Sequence, residues 1–203
     1  MNPILNTAWQ AAATIALADF ASGVLHWLED AYGNPDTPFF GKLFILPNIV
    51  HHHFPRHFVK KSWWQSSSDL LAAGVVLIVG AACLGCLTWH VWLFCLLAVN
   101  SNHIHKCAHR TRAENGRVIT WLQRWHILQA PSHHARHHTN PKASHYCAIT
   151  NFVNPVVDGV HFWQGLEWII ARLTGIHRRP DTSLPESGQL APAWLVEFQP
   201  KRR

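Results

Sequence analysis

LLAAGVVLIVGAACLGCLTWHVWLFCLLAV, from Leu70 to Val99, decides the fold. Its first part, Leu70 to Leu87, holds no charge over about 18 residues, and the run resumes at Val91 and stays apolar to Val99. Only Thr88, Trp89 and His90 separate the two parts. A connection that short predicts a tight helical hairpin which leaves and returns to one side of a membrane. The second arm is short, so its helix must continue through Asn100, Ser101 and Asn102. A third apolar stretch lies upstream, from Ala8 to Leu28, interrupted only by Asp19 and His26. Its roughly 21 residues, at about 1.5 Å each, just cross a hydrocarbon core of about 30 Å.

The charges orient these spans. Arg56, Lys60, Lys61, Lys106, Arg110, Arg112, Arg117, Arg124 and Arg136 fall in the connections opposite the turn at His90, and almost none precede the first span. Cytoplasmic loops carry such an excess, so three spans with the N-terminus outside are expected. Trp9, Trp89 and Trp92 then mark the outer interface and Trp27, Trp63 and Trp64 the inner one. The fold class expected is all-α: an integral membrane bundle of about three spans with a cytoplasmic, histidine-rich helical cap. A membrane domain covers 1–177 and a loosely ordered tail 178–203. Within the cap, Asn115 and Gly116 predict a turn, Asn154 and Pro155 a helix start, and Pro155 to Leu173 a helix lying on the membrane surface.

Composition agrees. The 203 residues include 17 His and 11 Trp, with 48% apolar and only 14% charged residues, against about 25% charged in an average soluble chain. The net charge of +6 could suit nucleic acid, an anionic membrane surface or an acidic partner, but the basic residues flank the spans, so no nucleic-acid partner is expected. Cys83, Cys86, Cys95, Cys107 and Cys147 form no even framework, and no disulfide or removable signal peptide is expected.

The histidines gather on the same side as the positive charges; only His90 falls opposite. Residues four apart on a helix are neighbours that can share one ion. His26 with Asp30 and His105 with His109 meet that condition; His134 with His137 and His138, and His133 with His137, offer further sets. So many adjoining imidazoles would repel one another once protonated unless a metal joined them. Neutral imidazole suits iron, zinc, copper or nickel, and the ligand supply exceeds what one ion needs, so two ions are inferred. Asp19, two turns before His26, reads as a partner of a ligand rather than a ligand. His90, His161 and His177 read as structural or exposed; His53, His57, His103 and His145 are left open.

ADFASGVLHWLEDAYG (18–33), GKLFILPNIVHHHFP (41–55), NHIHKCAH (102–109), WLQRWHILQAPSHHARHHTNPKASHYC (121–147) and FWQGLEWIIARLTG (162–175) together resemble the Kua/CarF-type lipid desaturases, the family of the plasmanylethanolamine desaturases. The resemblance implies a membrane enzyme with two Fe ions that uses O2 and two delivered electrons to remove two hydrogens from a lipid chain. As motif positions it carries over His26, Asp30, His51, His52, His105, His109, His133, His134, His137 and His138, with His126 also matched; Asn102 and Asp19 are expected beside them. It implies the first two carbons of an sn-1 alkyl ether as the site of attack and an electron donor of cytochrome b5 or ferredoxin type. The membrane would be a bacterial inner membrane or the endoplasmic reticulum, with the active site facing the cytoplasm. The lipid head group is expected near Arg56, Lys60, Lys61 or Arg136. Lys142, Phe54 and His103 depart from the family pattern and bear on lipid specificity. An acyl-lipid desaturase or hydroxylase of the same chemistry, and a metal-handling protein without turnover, are the alternatives.

Overall fold

The computed structural model describes residues 2–179, and every element among them is helical. Helix α1 (Pro3–Tyr32) starts where Asn2 accepts the Ile4 N–H and Pro3 sets the first helical turn. At 30 residues it reaches about 45 Å, longer than the apolar part of a bilayer, so its last turns, bearing His26 and Asp30, extend to one end of the molecule. A five-residue π-turn (Gly41–Ile45) leads into α2 (Leu46–His53), followed by the short α3 (Pro55–Val59).

Helix α4 (Trp63–Cys83) begins in a capping box between Ser62 and Gln65, and α5 (Trp89–Ala108) returns beside it. A side chain at Gly74 would meet Val99 Cγ2 at 2.8 Å, so the glycine is what lets the two arms of the hairpin approach. Near its open end the hairpin is stitched by polar groups: Asn102 Nδ2 donates to Ser66 O and Trp63 Nε1 to Asn100 Oδ1. Helix α1 packs on the other side of α5 through Ala18, Ile104 and Ile149, and His90 Nε2 meets Gln10 Oε1 at the hairpin-turn end. Leu17, Leu25, Val75, Val76, Val79 and Leu96 face outward, as lipid-facing side chains do.

The chain is thus a helical membrane protein. Of the three expected spans, α1 and α4 are long and apolar enough to cross a membrane by themselves. Helix α5 has the length and lies between them, but Asn100 to His105 make its last turns polar.

The cap is built of α6 (Arg112–Arg124), α7 (Pro131–His137), α8 (Val153–Gly159) and α9 (Phe162–Thr174). The turn expected at Asn115–Gly116 is a break inside α6, where Gly116 takes φ 69°. The single surface helix expected from Pro155 to Leu173 is two helices. His161 adopts φ 53° after Gly159, ending α8 and letting both Val157 and Trp163 enter one core with Trp27, Ala31, Tyr146 and Cys147. Of the expected tail, Arg178 and Arg179 are pinned, Arg178 to Tyr146 and Glu167 and Arg179 to the carbonyls of Ala31 and Gly33; 180–203 lie outside the described residues.

An irregular segment, 146–150, runs against α1 and is the fold's main device for placing the site. Gly23 leaves room for it, since a Cβ there would come within 2.6 Å of Cys147 Sγ. Its main-chain groups are met by side chains: Ser22 Oγ accepts the Ala148 N–H, Asp19 the N–H groups of Ile149 and Thr150, and Asn154 Oδ1 that of Cys147. Non-helical backbone at this depth is tolerable because none of these groups is left unpaired.

Candidate metal centre

Two groups of ligand atoms lie side by side where α1, α2, α5 and α7 converge. His51, His105, His109, His134 and His138 form one; His26, Asp30, His52 and His137 form the other, and in each the ligand atoms lie within 4.8 Å of one another. The rings of His52 and His138 are 5.0 Å apart and those of His26 and His105 5.3 Å, so the groups abut.

Helical geometry sorts the residues. Neighbours in sequence point about 100° apart on a helix, so His51 and His52 of α2 serve different groups, as do His137 and His138 at the end of α7. Residues four apart point together, so His26 with Asp30, His105 with His109 and His134 with His138 stay within one group.

The five-imidazole group turns Nε2 atoms inward. The separations are 2.8 Å for His105–His134, 3.0 Å for His134–His138, 3.1 Å for His51–His138 and 3.4 Å for His105–His109. Nitrogens about 2.0–2.1 Å from one transition-metal ion stand roughly 2.9–3.4 Å apart at octahedral or tetrahedral angles, so the spacing fits a shared ion. Mutual hydrogen bonds account for at most two of these four contacts, because each needs an N–H on one Nε2 and the lone pair on the other, and a neutral ring's Nε2 has only one of the two. Burial, then the neighbouring imidazoles, hold His51 and His134 well below the ordinary histidine value, and the same causes bring His109 to about 3, with Arg56 adding to the effect. The rings are therefore neutral at physiological pH, the form that ligates.

In the second group Asp30 is the hub. Its Oδ1 lies 3.0 Å from His52 Nε2 and accepts from Asn48 Nδ2 at 2.6 Å, and its Oδ2 lies 3.4 Å from His137 Nε2 and 4.0 Å from His26 Nε2. Carbonyl groups fix two of the rings: His26 Nδ1 donates to Tyr146 O at 3.2 Å and His137 Nδ1 to Ser144 O at 2.8 Å. With the proton on Nδ1, each Nε2 carries a lone pair, and both Nε2 atoms are buried without a hydrogen-bond partner. Lone pairs aimed at a carboxylate call for a cation between them. Both groups fit a metal ion.

All the expected ligands except His133 are brought together. His133 faces the other way, toward α8, where its Nε2 accepts from Asn154 Nδ2 at 3.1 Å, and it belongs to neither group. His126 lies apart beside Asn151, and Asn102 serves the α4–α5 contact instead of a ligand. Asp19 touches no candidate ligand. It anchors Ile149 and Thr150, and thereby the segment whose Tyr146 carbonyl orients His26. His90 stands at the far end of the molecule, His161 ends α8 and His145 meets Asp158 at 3.0 Å. Sequence reasoning missed Asn48, although its place four residues before His52 is the same helical spacing. It also missed the carbonyls of Tyr146 and Ser144, which no side-chain pattern encodes.

Comparison with known proteins shows the family. The Lipid desaturase domain matches residues 15–181. The chain is 30% identical to plasmanylethanolamine desaturase 1 of Mus musculus over 81% of its own length and 65% of the relative's. It is 28% identical to the plasmanylethanolamine desaturase of Myxococcus xanthus, covering 81% and 60%. With a probable fatty acid desaturase of Acanthamoeba polyphaga mimivirus the identity is 32%, over 80% of this chain and 82% of the relative. The chain thus spans somewhat under two thirds of the two plasmanylethanolamine desaturases. No solved structure matches it.

Proposed function

The chain belongs to the lipid desaturase family, and from that premise we propose that it is an O2-dependent, di-iron membrane enzyme that converts the alkyl ether chain of a plasmanyl phospholipid into a vinyl ether. The observation that carries the reading is the pair of abutting ligand groups, one of imidazoles alone and one centred on Asp30, gathered at the ends of apolar helices. The reaction removes one hydrogen from each of two adjacent carbons, and O2 takes up those two with two electrons and two protons to leave two waters. When bound, the iron pair supplies O2 reduction and the abstraction of hydrogen from an unactivated carbon.

The chain's own residues do the rest. His26 and His137, held by main-chain carbonyls, keep their lone pairs on one point, and Asp30 provides negative charge beside it. Burial of His134 and His137 keeps water from the centre. With α5 as a third span and the basic connections in the cytoplasm, the N-terminus lies outside and the centre sits under the inner leaflet. An electron donor of cytochrome b5 or ferredoxin type, with an acidic surface, suits the basic residues of this side.

The plasmanyl substrate is drawn from the mouse and Myxococcus relatives. A second reading, desaturation of an acyl chain, is favoured by the mimivirus relative, of which this chain covers the larger share. Metal content and product lipids, measured for wild type and His109→Ala in a host lacking the activity, test both. The expected result is less iron and no new unsaturation in the variant, with vinyl ether formed by the wild type. New acyl double bonds beside an unchanged ether pool would select the second reading. Less iron in the variant with lipids untouched by either protein would leave a metal-handling protein, and equal iron with equal lipids would remove the role proposed for His109.

A further inference from the structure

An open cavity of about 160 Å³ lies between the π-turn, α2 and α3. Its walls are apolar, with Leu46, Val50 and Phe58 among them, while Lys42 and Lys61 also line it. His51, an inward-facing member of the five-imidazole group, forms part of the wall. Phe58 stands between cavity and centre, its ring 5.2 Å from that of His51 and 5.3 Å from that of His105.

Two further observations bear on what enters. Phe39, Phe40 and Leu43, close to Lys42 in sequence, are 69%, 60% and 53% exposed, so the segment that carries the lysine presents apolar side chains outward. Such a surface is stable in lipid and costly in water. Lys61 is fixed from below, its carbonyl accepting from the buried Lys106 Nζ at 2.9 Å. Among the described residues no carboxylate forms an ion pair with the Lys42 or Lys61 ammonium group, Asp69 being the acidic group whose charge reaches Lys61. A π-turn is a local widening often found where a helix meets a ligand, and Gly41 permits it, since a Cβ there would collide with the Pro35 carbonyl.

We propose that this cavity takes the phosphate-bearing end of a membrane lipid entering sideways from the bilayer, with Lys42 and Lys61 holding the phosphate and Phe58 bordering the chain. The proposal deepens the desaturase reading and rests on it. It narrows the expected head-group residues to Lys61, adds Lys42 and leaves out Lys60, Arg136 and Arg56, the last of which pairs with Glu114. Because phosphate clamp and imidazole wall share one small cavity, the carbons beside the head group are the ones that reach the centre. A lipid without phosphate has nothing to offer the two ammonium groups and binds through its chains alone.

The test uses the full chain loaded with iron in detergent. Binding of a short-chain phosphatidylethanolamine and of the matching neutral diacylglycerol is measured, without O2 or electron donor, for wild type and variants. Lys42→Gln/Lys61→Gln is expected to weaken phospholipid binding by about 10-fold or more and to leave the neutral lipid unchanged. Lys42→Arg/Lys61→Arg should restore it, and Arg117→Ala, an exposed charge on α6, should have no effect. Iron content should be equal throughout. Undiminished phospholipid binding in the double Gln variant, or parallel weakening for both lipids, overturns the proposal. If the lysines discriminate as stated but the wild type desaturates no lipid once O2 and electrons are supplied, the cavity assignment stands and the desaturase reading falls. Desaturation of phospholipid by the double Gln variant at unchanged KM would sink the cavity assignment alone.

Discussion

The two ligand groups share a boundary but differ in what holds them. Around Asp30 the polypeptide supplies the scaffold: carbonyls of 144 and 146 fix two rings, Asn48 fixes the carboxylate, and Asp30 offsets positive charge. In the five-imidazole group no carboxylate is present, and the outer Nδ1 atoms of His51 and His134 are buried without a partner. Its geometry comes from where α2, α5 and α7 end. One group is organised by the fold; the other depends on its ion for charge and cohesion. Metal binding and local folding should therefore be more tightly linked at the five-imidazole group.

The largest effect should come from the middle of the imidazole group. His134 Nε2 is within 3.0 Å of two other ligand atoms, His105 and His138. His134→Ala should reduce bound iron from about two ions to about one and abolish product, because the residual rings have no anion to retain a cation. Elemental analysis of the purified variant checks this. Retention of both ions would mean the group is no more dependent on its ligands than the other.

At the other group Asp30→Asn keeps the shape and removes the charge. Chelator competition should show one ion bound at least about 100-fold more weakly, while the other is released as in wild type. Equal weakening of both ions would break the contrast, making the centre one electrostatic unit.

Acid should act on the metal-free protein next. His109 titrates at about 3 when folded, by burial and then by repulsion from His52 and His137, and at about 6.5 when unfolded. Below pH 6.5 the unfolded chain binds the proton that the folded chain refuses, so stability is complete above about pH 6.5 and drains away as pH falls toward 3. At about 1.4 kcal/mol per pH unit this one ring is worth a few kcal/mol across that window. Thermal unfolding of chelated protein should decline steeply there, and the iron-loaded protein should begin its decline at lower pH. A flat profile in the chelated protein would mean the rings are open to water.

The same contrast explains what could be read from sequence. Spacing of four along a helix is a local property, so the pairs at 26/30, 105/109 and 134/138 were legible, and so were the apolar helices α1 and α4, which follow from apolar length alone. Division of the ligands into two groups was not. His51 and His52 separate only because α2 presents one residue to each side, and that depends on how α2 lies against α1 and α5. A shared stripe makes Asp19 look like a partner of His26; the link instead runs through segment 146–150, which Asp19 anchors at Ile149 and His26 meets at the Tyr146 carbonyl. That segment has no periodicity, and its bonds are met by Ser22 and Asp19, far away in sequence, and by Asn154 just after it.

His133 gives the smallest expected effect and the sharpest test of the sorting. By spacing it is as good a partner for His137 as His138 is for His134, and its side chain is buried beside the centre. What excludes it is Asn154, whose amide donates to His133 Nε2 and to the Cys147 carbonyl, tying the ring to segment 146–150. His133→Ala should leave both ions in place and chelator release unchanged. Its cost is one unmet donor on Asn154, about 1–3 kcal/mol in stability. His133→Gln, which can accept that same N–H, should recover most of the loss. If His133→Ala instead strips an ion as His134→Ala does, the ring turns inward when metal binds and the boundary between the two groups lies elsewhere.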